Sequence, residues 1–173
     1  MQKLVFINGL NPRPINSDMA RFLFFLNKIP VFRNLFIFKR AFCKVYNIPF
    51  STSFGSGFYC SAPNVSLGEN VGLADTLILA YAPVRIGNNC SFSYRNIIIT
   101  SSHDFNDFSK VIASPVTIGN NVWVTTNVII LPGVTIGDNT VIGAGSVVTK
   151  DIPPGVFAAG NPCRVIEPID FKK

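Results

Sequence analysis

Charge is scarce in this 173-residue chain: only 14% of residues are Asp, Glu, Lys or Arg, against 48% apolar. A chain with this much apolar surface can offset the entropy of ordering, so a disordered protein is excluded. So little charge also leaves too few groups to cover a small domain. Part of the surface is therefore expected to be covered, by subunit contacts or by a membrane face. Histidine occurs once, as His103, which excludes a zinc site built from three histidines. The cysteines Cys43, Cys60, Cys90 and Cys163 form no CxxC and follow no secretory signal. They are read as buried free thiols in a reducing compartment. No uncharged apolar run reaches the ~18 residues that a membrane span needs. Lys28, Arg33, Lys39, Arg40 and Lys44 interrupt every candidate.

The charge that is present is unevenly placed. Residues 1–50 hold eight Lys or Arg and one acid, Asp18, whereas residues 51–173 hold seven bases and eight acids. The whole net charge of +6 thus belongs to the first fifty residues, which also carry nine of the sixteen Phe. Within them, Met19, Phe22, Leu23 and Leu26 recur at helical spacing over 18–28, with Ser17 as N-cap and Pro30 as breaker. A second helical stretch, about 31–46, puts Leu35, Phe38, Phe42 and Val45 on one face. This segment is expected to cap whatever follows it, or to lie on an anionic membrane through its basic, Phe-rich face.

From residue 116 onward the chain repeats every six residues. Ile118, Val124, Ile130, Ile136, Ile142 and Val148 form one ladder; Val116, Val122, Val128, Val134, Thr140, Ser146 and Ile152 form another. A third, Asn121, Asn127, Gly133, Asn139 and Gly145, holds residues that accept positive φ. A period of six is neither helical nor that of an ordinary strand. It describes a triangular coil whose sides are short strands, stacked as parallel sheets around an aliphatic interior. Upstream, Val65, Leu67, Val71, Leu73, Leu77 and Leu79 keep the phase, and after a one-residue slip Val84, Ile86, Cys90, Phe92 and Ile98 resume it. Between Ile98 and Ile118 the ladder breaks, and residues 101–114 are read as a loop thrown out from the coil. Loops leaving a rigid scaffold commonly carry function.

The runs Val116–Val124, Leu131–Asn139, Val141–Ile152 and Ala159–Ile166 make the sequence resemble the hexapeptide-repeat acyltransferases, over about residues 84–166. It is similar to galactoside and maltose O-acetyltransferases, and in layout to the O-acetyltransferases of capsule and exopolysaccharide clusters. The resemblance implies an all-β fold, a left-handed parallel β-helix over 51–153, with a helical segment over 1–50 and a C-terminal tail over 154–173 that packs on the coil. It also implies acetyl-CoA as co-substrate, no metal, and a homotrimer whose active site lies between adjacent coils. The implied location is cytoplasmic, with peripheral contact at the inner membrane face.

Transfer of an acetyl group to a sugar hydroxyl requires removal of the hydroxyl proton, and imidazole suits that role near neutrality. His103 in the extruded loop is the only candidate. Asp104 is a candidate to orient it, and Asp107 to touch the sugar. By resemblance, Trp123, Thr126 and Ala144 line the pantetheine channel. Thr149, Lys150 and Arg164 lie near the nucleotide phosphates, where a cation is suited. Tyr94 and Arg95 fall where relatives contact the acceptor. Two departures are Thr125, where relatives usually carry Gly, and Glu167, where some carry a base.

The expected activity is thus O-acetylation of a sugar or oligosaccharide, carried on a membrane lipid in one reading, in capsule, exopolysaccharide or O-antigen synthesis. The alternatives are N-acetylation of an amino-sugar nucleotide and a non-catalytic structural β-helix. The structural alternative would carry outward Thr ladders, which are absent. No recognised motif supports a nucleic-acid partner.

Overall fold

A chain that turns a corner every six residues needs residues tolerant of positive φ at the corners. The computed structural model describes residues 3–7 and 13–170. Asn121, Asn127, Gly133, Asn139 and Gly145 all take positive φ, between 54° and 85°. The sides between them are strands of two or three residues that pair in parallel and stack into three sheets. Face one contains Val65–Leu67, Val84–Ile86, Val116–Ile118 and Thr135–Ile136. Face two contains Ser91–Phe92, Trp123–Val124, Val141–Ile142, Val156–Ala159 and Arg164–Pro168. Face three contains Tyr59–Cys60, Leu77–Leu79, Ile97–Ile99, Ile129–Ile130 and Val147–Val148.

The two aliphatic ladders fill the interior. Ile118, Val124, Ile130, Ile136, Ile142 and Val148 are at most 1% exposed. Val116, Val122, Val128, Val134, Thr140, Ser146 and Ile152 are at most 5% exposed. Each fully buried Val or Ile contributes about 1.5–3 kcal/mol relative to exposure. Polar members of the ladders survive inside because their hydroxyls find backbone partners. Ser146 donates to the Gly143 carbonyl at 2.5 Å, and Thr140 donates to those of Asp138 and Pro153 at 3.2 Å. At the edge between faces one and two the Asn side chains form a ladder of their own. Asn70 donates to Asn89, Asn89 to Asn121, and Asn121 to Asn139, at 3.1, 3.3 and 2.9 Å.

Two details differ from the pattern. Leu77 and Leu79 do not keep the inward phase; Ile78 is fully buried and its neighbours are half-buried on the outer side. The slip lies earlier, at Ala74, which takes φ 44°. Residues 101–114 are not an irregular loop but an antiparallel hairpin, Ser101–His103 with Lys110–Ala113. Leu4–Ile7 adds to it as a third antiparallel strand. The hairpin leaves the edge between faces three and one, where Ser114 N–H bonds the Thr100 carbonyl at 2.8 Å and closes its neck.

Among its described residues the N-terminal segment forms three helices, α1 (Asp18–Asn27), α2 (Pro30–Arg33) and α3 (Phe36–Tyr46). Ser17 caps α1, accepting from Ala20 N–H at 3.2 Å. The buried face of α1 is Ala20, Leu23, Phe24 and Asn27, whereas Met19 and Phe22 are more than half exposed. Phe38 and Phe42 of α3 are buried, while Leu35, ahead of it, is 48% exposed. Phe24 and Phe42 pack on Phe58, and Phe42 lies 4.5 Å from Phe54, so the helices close the first coil. The tail extends face two: Val156–Ala159 pairs with Val141–Ile142, then Arg164–Pro168 returns antiparallel. Residues 171–173, the end of the segment read as the tail, lie outside the described residues, as do residues 1, 2 and 8–12 of the N-terminal segment.

Candidate active site

His103 ends the first hairpin strand and is exposed. Its Nδ1 lies 2.9 Å from the Phe108 carbonyl oxygen across the hairpin turn. A carbonyl only accepts, so Nδ1 carries the proton and the lone pair of the neutral ring sits on Nε2. The Phe108 ring meets the imidazole edge-on at 6.3 Å. The histidine lines a cavity of about 300 Å³ together with Lys3, Ser102, Asp104, Phe105, Ser114 and Pro132. Pro132 belongs to the next coil, so the hairpin folds back over the corner below it.

The two loop carboxylates hold the turn rather than the imidazole. Asp104 accepts from Asn106 N–H at 2.8 Å. Asp107 accepts from the backbone and hydroxyl of Ser109 at 3.1 and 2.6 Å, and pairs with Lys110 at 2.9 Å. Hydrogen bonds from Ser109 and Lys110 pull the Asp107 carboxyl down to about 2. Asp104, expected to orient the imidazole, bonds the turn instead, and the group within hydrogen-bond distance of Nδ1 is the Phe108 carbonyl. A carbonyl leaves no sequence signature, and no residue pattern could have revealed it. The aromatic pair Phe105 and Phe108 was also missed; these rings are 86% and 72% exposed beside the histidine. Large rings bared at a hairpin tip are the signal that could have found them.

The remaining candidates fall on two edges of the prism. Thr149 and Lys150 are exposed at the edge between faces three and one, on the His103 edge one coil below Pro132. Tyr94, Arg95, Thr126 and Ala144 lie at the edge between faces two and three. Trp123 stands on face two, half exposed, with its indole N–H 3.3 Å from the Ser93 hydroxyl. Arg95 takes φ 60° and its N–H bonds Asp75 at 2.6 Å, so its backbone builds the corner while its side chain is exposed. Beside Ala144, a Cβ added at Gly145 would meet nothing within 4 Å, which leaves room for a thin extended ligand. Arg164 opens the outer strand of the tail and donates to the Cys163 carbonyl at 2.8 Å. Face three separates His103 from the Trp123 edge, so one chain does not bring the two groups together.

Face three itself is apolar on the outside. Leu77, Leu79, Ile97, Ile99, Ile129 and Val147 alternate with buried neighbours and are only half covered. All four cysteines are free and buried, and burial pushes the Cys60 thiol up to about 12. None offers a thiolate nucleophile.

Comparison with known proteins places this geometry. Residues 115–150 match the family model described as bacterial transferase hexapeptide (six repeats). Galactoside O-acetyltransferase of Escherichia coli (strain K12) is 43% identical over 120 residues, covering 65% of this chain and 58% of that protein. The solved maltose O-acetyltransferase from Clostridium difficile 630 is 35% identical with a TM-score of 0.73, over 88% of this chain and 87% of that one. The chain belongs to the hexapeptide-repeat transferase family. Its coil is the left-handed parallel β-helix of that family. A galactoside acetyltransferase solved in complex with coenzyme A is 32% identical with a TM-score of 0.64, over 89% of this chain and 86% of that one. Against the curated relatives the match is shorter: this hexapeptide-repeat chain spans a little under two thirds of their length, 61% for a putative acetyltransferase of Staphylococcus aureus (strain MRSA252).

Proposed function

We propose that this hexapeptide-repeat protein is an acetyl-CoA-dependent sugar O-acetyltransferase with His103 as general base. The observation that carries the reading is the Phe108 carbonyl fixing Nδ1–H of the sole histidine, which leaves Nε2 basic in a hairpin cavity. A sugar hydroxyl held there loses its proton to Nε2 as its oxygen attacks the thioester carbonyl carbon. Collapse of the tetrahedral adduct breaks the carbon–sulfur bond, and the imidazolium returns its proton to the departing thiolate. The products are an acetyl ester and free coenzyme A. Direct attack fits a chain whose cysteines are all buried. Phe105 supplies an apolar platform for a sugar ring.

The coenzyme fits residues of this chain. Thr126 and Ala144 border the open space at Gly145 for the pantetheine arm, Trp123 stands beside them, and Lys150 and Arg164 offer cations to the phosphates. Because face three divides Trp123, Thr126 and Ala144 from His103, the working site is assembled between two copies, in a homotrimer joined through that apolar face. An acceptor from capsule, exopolysaccharide or O-antigen synthesis suits the likeness to sugar O-acetyltransferases. Cytoplasmic action follows from the use of acetyl-CoA.

The test is incubation with acetyl-CoA and a panel of glycans and amino-sugar nucleotides, with products resolved by mass spectrometry and NMR. An acetyl ester on a sugar hydroxyl is expected. An amide on an amino sugar would replace the O-acetyl reading, and no acetylated product from any acceptor would remove it.

A further inference from the structure

The outer surface of the helical cap is unlike that of an ordinary surface helix. Such a helix turns its apolar stripe inward and charged residues outward. On α1 the inner stripe is Ala20, Leu23, Phe24 and Asn27; the opposite face still carries Met19, Phe22 and Phe25, exposed by 59%, 56% and 61%. On α3 the face opposite Phe38, Phe42 and Tyr46 carries Ile37, 81% exposed, between Phe36, Arg40 and Lys44. Val31 on α2 is 70% exposed. The inner faces are already occupied by the first coil, and among the described residues these outer side chains stay open to solvent. Among residues 13–50 the cations are Arg13, Arg21, Lys28, Arg33, Lys39, Arg40 and Lys44, and the only acid is Asp18.

A second observation narrows the partner. A cleft of about 160 Å³ between the cap and the first coil is lined by Arg33, Asn34, Lys39, Thr52, Ser53 and Phe54. Among the described residues two cations flank it and no carboxylate lines it. Thr52 is fully buried there, and its hydroxyl oxygen has no hydrogen-bond partner among the described residues. A buried hydroxyl without a partner is uncommon, and one beside two cations is a donor for an anionic oxygen.

We propose that the helical cap docks this protein on a bilayer of anionic phospholipid. Phe22, Phe25 and Ile37 enter the boundary between headgroups and acyl chains. Arg40 and Lys44 meet the surface charge, and Arg33, Lys39 and Thr52 seat a headgroup phosphate. An interfacial helix of this kind combines apolar insertion with attraction to anionic lipid. A protein partner would meet the same apolar groups but would not call for so many cations against the single acid Asp18, which is paired with Arg21. A nucleic acid would use the cations and leave Phe25 and Ile37 without a role.

The experiment is co-sedimentation of the full chain with vesicles, either neutral phosphatidylcholine or the same lipid with about a third phosphatidylglycerol. Binding to the anionic vesicles at least about tenfold tighter than to neutral ones is expected, weakening with salt. Phe25→Ser with Ile37→Ser and, separately, Arg33→Gln with Lys39→Gln should each lower that binding about tenfold. Unchanged thermal unfolding and light scattering would show that these surface variants are folded. Equal binding to both vesicles, no binding, or full binding by both folded double variants would overturn the proposal. So would retention on heparin without vesicle binding, or concentration-dependent self-association that the Phe25→Ser, Ile37→Ser variant abolishes. None of these readouts uses acetyl transfer, so failure here and failure of the enzymatic reading are separable.

Discussion

A single backbone oxygen, that of Phe108, determines which nitrogen of His103 is basic. The hairpin turn that carries this oxygen is held by Asp107, whose carboxyl is drawn down to about 2 by Ser109 and Lys110. A carboxyl with a lowered folded pKa adds stability above its unfolded value, near 3.8, and loses it as pH falls through about 2. Protection of the Ser109 and Lys110 amides, taken as exchange relative to the intrinsic rate at each pH, should therefore fall as pH drops between those values in the wild type. In Asp107→Asn that protection should already be lower at neutrality and be flat across the same window. Phe105 makes a separate prediction. Phe105→Ala should raise KM for the acceptor several-fold while leaving KM for acetyl-CoA unchanged, as steady-state kinetics with each substrate varied would report.

The element scale is where the six-residue repeat does its structural job. Asn121 turns a corner at φ 54° and links Asn89 to Asn139 in the side-chain ladder. Asn121→Val should destabilise the fold by about 1–3 kcal/mol, because a branched residue is strained at positive φ. Asn121→Gly should cost less than half of that, since glycine keeps the corner and loses only the ladder bonds; urea unfolding compares the two. Corners built from Asn and Gly were legible because few residues accept that backbone. Corners at Ala74 and Arg95, at φ 44° and 60°, carry no such mark. That is why the phase slip seemed to follow Leu79 when it falls before Ile78. The pairing of Leu4–Ile7 with the hairpin was illegible for another reason: it joins strands about a hundred residues apart, and no local pattern encodes that. On α1 several Phe in succession make more than one apolar face, so spacing alone chose Met19 and Phe22 over Phe24.

For the whole molecule, the scarcity of charge noted in the composition has two visible causes in the fold. One is face three, whose outward Leu and Ile residues form an apolar strip along the coil. The other is the outer side of the helical cap. The first bears on assembly. Light scattering should give a trimer, and Ile97→Asp with Ile129→Asp should give smaller species with acetyl transfer lost and the coil's circular dichroism retained. A wild-type monomer at micromolar concentration would remove the shared site.

The central claim is that the lone imidazole deprotonates the acceptor, and it is tested most directly by thiol release from acetyl-CoA in the presence of an acceptor. Turnover by His103→Ala should fall by about 10²–10⁴-fold, with coenzyme affinity, measured calorimetrically on the same preparation, unchanged. Wild-type turnover in that variant would contradict the account.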